Sequence, residues 1–195
     1  MIKIDNEVKK KLLVLGLDKY KNEYDGAYDW TLAAGEKTED YEFVIEKKES
    51  GISLRFGTPH NWRFPQELFT VCECDTESKV LNALINLVLE PNQIGLDIYD
   101  VFYSISDSEL FRSTECSLDK EWKNEFLQWA EDEIYEYKGK NKILMVSGDA
   151  SLFDVGQIRD IISNNDADSC DLIVAFKYMD EIENHIQISV WINQQ

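Results

Sequence analysis

Histidine is nearly missing from this chain: His60 and His185 are the only two in 195 residues. Neither sits in an H-E-x-x-H spacing or in a recognisable triad, and no G-x-S-x-G elbow offers a serine for a histidine to activate. The nine glycines are scattered. No G-x-x-x-x-G-K-S/T or G-x-G-x-x-G loop is present to turn several backbone N–H groups toward a phosphate. An autonomous nucleotide-binding enzyme is therefore not expected, and no cofactor is.

Basic residues are also scarce. Lys and Arg number 20 against 38 Asp and Glu, for a formal charge of -18 and a pI near 4.4. Such a surface repels phosphate, which argues against nucleic acid and against an anionic membrane as partners. No apolar run approaches the roughly 20 residues that cross a bilayer. The apolar part of the N-terminus is only Leu12 to Leu17, with no small-residue cleavage site after it, so export is not expected. Cys72, Cys74, Cys116 and Cys170 match no zinc spacing, although Cys72-x-Cys74 with His60 nearby is a conceivable metal pair. A chain of this size needs no disulfides to hold a core. Buried or half-buried free thiols in a reducing cytoplasm are the expectation, with no metal.

What the chain does have is core material, 44% hydrophobic and 12% aromatic. Asn6 to Tyr20 reads as a short helix. "YEFVIEKKESGISLRFG" alternates about a Glu-Ser-Gly turn, with Phe43 and Ile45 facing Ile52, Leu54 and Phe56, and predicts a β-hairpin. "ELFTVCEC" is β-prone. Thr76 to Glu90 is apolar on more than one helical face, which predicts a buried helix. A strand over Leu110 to Cys116, an amphipathic helix from Leu118 to Ile134, a buried strand "KILMVSGD" and a helix from Leu152 to Ile162 follow. "DLIVAFKYM" and "IQISVWI" are strands whose short acidic connection predicts a second hairpin, with His185 a surface residue in its turn. Strands alternating with helices from Thr76 onward predict an α/β layer. The expected division is a small α+β region, 1–75, of helix plus hairpin, then an α/β domain, 76–195.

Two acidic stretches draw attention. "NNDADSCD", Asn164 to Asp171, offers oxygen ligands, but a calcium loop needs Gly and Glu where Ser169 and Ala175 stand. It reads as a solvated turn. "PNQIGLDIYDVFYSIS", Pro91 to Ser106, sets Asp97 and Asp100 three residues apart at the opening of a short apolar segment. Asp97 fits a helix N-cap with Asp100 in a first turn favoured by the dipole. The pair equally fits two carboxylates on one helix end, whose charged forms suit orienting a water or a cation.

From Lys79 to Ile192 the segments together resemble the C-terminal domain of FtsZ, the bacterial tubulin-like division GTPase. "LNALINLVLEPNQIGLDIYDV" is similar to the helix that ends in FtsZ's synergy loop. "KILMVSGDASLFDVGQIRDIISNNDADSCDLIVAFKYMDEIENHIQISVWI" resembles the family order of strand, Gly-containing turn, Leu-Phe-x-Val helix start, acidic turn and two strands. The resemblance implies a mixed, largely parallel four-stranded sheet with two main helices packed on it. It also implies that Asp97 and Asp100 stand where the family's loop aspartates reach a neighbouring subunit's nucleotide and help activate the attacking water. Gly95 in place of the family's Asn, and Ile98-Tyr99 in place of Phe-Ala, depart from the pattern. Residues 1–75 are too short for the family's GTPase domain and carry no glycine-rich loop.

Three functions are then in play. The first is a non-enzymatic interaction module that caps or modulates a tubulin-like filament through Gly95, Leu96, Asp97, Ile98, Tyr99 and Asp100, or lends Asp97 and Asp100 to a partner GTPase in trans. Self-association is compatible with it. The second is an acidic binding or immunity-type protein that uses the same α/β scaffold against a basic protein. The third is a metal-assisted hydrolase built on Asp97 and Asp100, a weak Mg²⁺ site unless substrate phosphates help hold the ion.

Overall fold

The computed structural model describes residues 12–23, 28–57, 67–73, 77–89, 109–164, 171–178 and 184–193. Within them lie eight strands: β1 Leu12–Leu15, β2 Phe43–Lys48, β3 Gly51–Phe56, β4 Glu67–Glu73, β5 Glu109–Ser117, β6 Lys142–Gly148, β7 Leu172–Tyr178 and β8 His185–Asn193. Three α-helices accompany them: α1 Glu77–Leu89, α2 Trp122–Glu133 and α3 Leu152–Ser163. The strands join edge to edge in one open sheet of order β1-β2-β3-β4-β5-β8-β6-β7. The fold is α/β, as the alternation of elements predicts.

The C-terminal half follows the expected plan. β6 and β7 pair in parallel, and β8 runs antiparallel between β5 and β6, so three of the four strands point one way. Period-two alternation sends Ile143 and Met145 of β6 to one core and Leu144 and Val146 to the other. α2 and α3 cover the second face with Trp122, Phe126, Ala130, Val155, Ile158 and Ile162. Helices on both faces explain why β6 is buried at every position. Phe111 and Trp191 sit opposite each other on β5 and β8, edge to face at 5.4 Å between ring centroids. Cys116 is a buried free thiol, and burial, with the nearby Glu125 carboxylate, pushes it above the ordinary thiol range. Cys72, Cys74 and Cys170, as metal or thiol candidates, lie outside the residues whose side chains are described, and so does the calcium-like stretch beyond Asn164.

The connection between β7 and β8 does not make a hairpin. β6 lies between them. Strands two places apart are separated by roughly 10 Å, well within reach of a six-residue link, so a short connection does not force adjacency. β6, apolar on both faces, takes the place in the middle.

The first element is corrected as well. Leu12–Leu15 is a strand, paired in parallel with β2 from Leu12↔Phe43 to Leu15↔Glu46. Its other side is held by Asp29, whose carbonyl accepts from the Val14 N–H and whose N–H donates to Leu12 O. Four consecutive apolar residues fit a strand covered on both faces better than one stripe of a helix, and a run this short leaves the period ambiguous. Gly16, at φ +73, ends the strand in a conformation that side chains disfavour. The helical start expected before Leu12 lies outside the described residues. The β2–β3 hairpin forms as read, with Phe43↔Phe56 and Ile45↔Leu54 in register across Glu49-Ser50.

α1 binds the two halves together. Val80, Leu81, Ala83, Leu84, Ile85 and Leu87 are all buried, and they share one core with Leu12, Phe43, Ile45 and Leu54 on one side and Phe111, Ile143, Met145 and Trp191 on the other. Glu77, in its first turn, accepts from Lys19 (2.7 Å), Lys47 and the Tyr20 hydroxyl (3.2 Å). A carboxylate there also suits the helix dipole. At the far side of the sheet the buried Lys142 ammonium donates to the carbonyls of Tyr137 and Lys140, which satisfies it within a tight turn.

Leu84→Ala is expected to lower stability by about 2–5 kcal/mol, the cost of removing buried methyl groups and leaving a cavity. In urea titrations followed by hydrogen exchange, protection should fall together in β2–β3 and in β6–β8. Loss confined to one half would show that the core is not shared.

Candidate functional site

Gly95, Leu96, Asp97, Ile98, Tyr99 and Asp100, the segment singled out by sequence, lie outside the described residues. The structure brackets them between the end of α1 at Leu89 and the start of β5 at Glu109. The direction in which α1 runs sets where that segment is launched. Its first turn meets Lys19 and Lys47 beside β2, Asn82 donates to Gln187 Oε1 of β8 (2.9 Å), and Asn86 accepts from Lys177 Nζ of β7 (3.0 Å). The helix thus crosses the strands from β2 toward β7, and Leu89 follows one turn after Asn86.

That same line of polar side chains opens a recess. Ser78, Asn82 and Asn86 recur every four residues on an otherwise apolar helix, so they share one stripe. Opposite them stand Glu115 of β5, Ser147 and Gly148 of β6, and His185 and Gln187 of β8, around a cavity of about 200 Å³. A shallower hollow of about 210 Å³ continues it along Ser78, Lys79 and Asn82. Asn86 and Ser147 are buried, and the amides are spent on Gln187 and Lys177.

His185 is the first residue of β8 and not part of a turn. Its Nδ1 lies 3.5 Å from Ser117 Oγ, and its Nε2 lies 3.6 Å from Glu115 Oε2. The contact with Ser117 follows from register, since Ser117 and His185 are directly paired, and 3.5 Å is at the outer limit of a hydrogen bond. The side chain is about a third exposed. This grouping is a cross-strand polar cluster. Among the described residues no group of three or more His, Cys, Asp or Glu is placed to hold a metal ion, and no helix is long and apolar enough to cross a membrane.

Gly148 makes the recess possible. Its φ is +123, and a Cβ there would lie 2.3 Å from the His185 carbonyl oxygen. The end of β6 can approach the start of β8 only without a side chain. The four-residue spacing of Ser78, Asn82 and Asn86 was a visible signal for this recess. The strand residues that complete it were not, because they meet only through β8 lying between β5 and β6.

Comparisons agree on fold and stop there. No family model and no curated protein matches the sequence. Among solved structures, a point mutant of FtsZ from M. jannaschii superposes with a TM-score of 0.51 at 15% identity, over 60% of this chain and 38% of that one. An empty FtsZ dimer from M. jannaschii gives 0.50 at 14% identity, over 57% of this chain and 35% of that one. The chain thus matches well under half the length of either FtsZ. The likeness is one of fold: this is an α/β architecture shared with part of a tubulin-like protein.

Gly148→Ala is expected to cost about 3 kcal/mol or more, from positive-φ strain plus collision with backbone that cannot yield. Gly156, inside α3 with open space at its Cβ position, serves as the contrast: Gly156→Ala should stabilise by about 0.5–1 kcal/mol. Denaturant midpoints of the two variants should move in opposite directions.

Proposed function

We propose that this chain is a non-enzymatic protein-interaction module, built on a fold like that of the C-terminal part of FtsZ, that caps or modulates a tubulin-like filament. The observation that carries the reading is the partial match: about three-fifths of this chain superposes on little more than a third of FtsZ. The strands β1 to β4, meanwhile, continue the same sheet through the β4–β5 pairing. In this reading residues 95–100 form the contact surface, delivered from the end of α1. A subunit with one filament-facing surface makes a heterologous contact that cannot propagate, and so stops growth at the end it occupies. Asp97 and Asp100 would lend carboxylates to a nucleotide held by the partner, so that turnover belongs to the partner and the chain needs no cofactor of its own. A reducing cytoplasm is the compartment this proposal implies.

The charge of -18 favours a second reading. An acidic binding or immunity-type protein would use the scaffold to neutralise a basic partner, with the segment 95–100 playing no part.

The deciding experiment mixes purified protein with an FtsZ-type GTPase and GTP and follows sedimentable polymer and phosphate release. Polymer mass or GTP turnover should change at substoichiometric to micromolar ratios. The double variant Asp97→Asn, Asp100→Asn should abolish any gain in turnover and leave the fold intact by circular dichroism. No change in either quantity at micromolar excess over several such GTPases overturns the proposal.

A further inference from the structure

A different part of the surface carries its own signal. Large apolar side chains are well covered across most of the described structure, yet Leu152 is 65% exposed and Phe153 is 71% exposed, side by side at the start of α3. The helix does not need them there. Its N-terminus is already closed by a capping box, in which Ser151 Oγ accepts from the Asp154 N–H (3.2 Å) and Asp154 Oδ2 accepts from the Ser151 N–H (3.0 Å). Its core contacts come from Val155, Ile158 and Ile162, on the opposite face. Burying both exposed side chains would release roughly 3 kcal/mol or more, which the folded chain leaves unclaimed.

The surroundings define what would cover them. Lys123 Nζ lies 6.0 Å from the Phe153 ring and 5.7 Å from the Trp122 ring, so the start of α2 stands beside the start of α3. That neighbourhood brings Asp119 and Glu121, just before α2, together with Asp149 and Asp154 on either side of the apolar pair. Four carboxylates against Lys120 and Lys123 leave a local negative balance, within a chain of net charge -18. Tyr178, 45% exposed, ends β7 opposite Gly148, at the same end of the sheet. An anionic phospholipid surface would be repelled by this rim, and a second copy of the chain would bring like charge against like.

We propose that Leu152 and Phe153 are the apolar anchor of a docking surface for a basic, amphipathic protein segment: one whose apolar side chains cover the pair while flanking Lys or Arg residues meet Asp119, Glu121, Asp149 and Asp154. A small apolar centre within a charged rim is the arrangement in which a few side chains carry most of the affinity and the rim sets the choice of partner. This surface does not depend on the filament reading, because it uses none of residues 95–100.

Fluorescence anisotropy with three labelled synthetic helices tests it: a Lys/Leu amphipathic peptide, a Lys/Ser peptide of equal charge and a Glu/Leu peptide of equal apolarity. The Lys/Leu peptide should bind the whole protein, and the binding should weaken with added salt. The Leu152→Ser, Phe153→Ser variant should weaken it by about tenfold or more, as loss of two buried apolar contacts implies. Its unfolding midpoint should stay unchanged, since neither side chain is in the core. The Lys/Ser peptide should not distinguish variant from parent. Equal binding of the Lys/Leu peptide to both proteins overturns the proposal, as does equal binding of the Glu/Leu peptide. Sedimentation of the protein alone adds a third check: a dimer that dissociates on the same double substitution would assign the surface to self-association and overturn the choice of a basic partner. Each outcome is independent of whether polymer of an FtsZ-type GTPase responds to Asp97→Asn, Asp100→Asn.

Discussion

The burial of α1 on several faces at once is the constraint from which the rest of the architecture follows. Of the residues in this helix whose burial is described, none is exposed. Val80, Leu81, Leu84, Ile85 and Leu87 together represent about 10 kcal/mol of gross apolar burial, comparable with the whole net stability of a domain. A helix with so little polar surface must be enclosed, and neither half of the sheet encloses it alone. β1 to β3 supply one wall and β5, β6 and β8 the other, joined through β4. Glu77 adds direction, because its ion pairs with Lys19 and Lys47 fix which end of the helix lies by the N-terminal strands.

Seen from α1, what could and could not be read in the sequence has a physical logic. Elements whose own periodicity decides their environment were legible: the β2–β3 hairpin, the uninterrupted run of β6, the amphipathic α2, and α1 itself. Two features were not. Leu12–Leu15 is too short for period to separate strand from helix, and only its pairing with β2 and Asp29 settles it. The position of β8 is a matter of sheet order, which alternation along a strand does not encode. A link long enough to pass one strand is long enough to mislead. The same gap hid the recess, whose far wall exists only because β8 brings His185 and Gln187 between Glu115 and Ser147. The segment Gly95 to Asp100 was legible through resemblance alone, and its environment lies outside the described residues.

Polar and apolar surface are apportioned differently at the two places where this molecule offers itself to others. Under α1 the amides of Asn82 and Asn86 are already engaged with Gln187 and Lys177, so a ligand entering there must replace hydrogen bonds that the protein makes for itself, and the net gain is small. At the start of α3 the balance is reversed. Leu152 and Phe153 have water to shed and no internal partner to lose, so contact there is gained almost without competition.

This difference bears on how a single chain could serve as a connector. α1 runs toward β7 and ends at Leu89, one turn past the side chain that meets Lys177. Lys177 precedes Tyr178, which pairs with Gly148, and Gly148 leads into Ser151 and the exposed Leu152 and Phe153. The launch point of the loop that holds Asp97 and Asp100, and the apolar pair, therefore belong to one end of the sheet, the end where β6 and β7 finish. In open α/β sheets the carboxyl ends of parallel strands are where recognition gathers, because the strands stop there and the chain is free to vary. A carboxylate loop and an apolar anchor at a common end can be read by one partner in a single contact, or by two partners that exclude each other. Which of these holds follows from whether the Lys/Leu peptide, seated on Leu152 and Phe153, blocks the action of Asp97 and Asp100 on a partner GTPase. Competition would place both on one face. Additive effects would make them separate handles on the same scaffold.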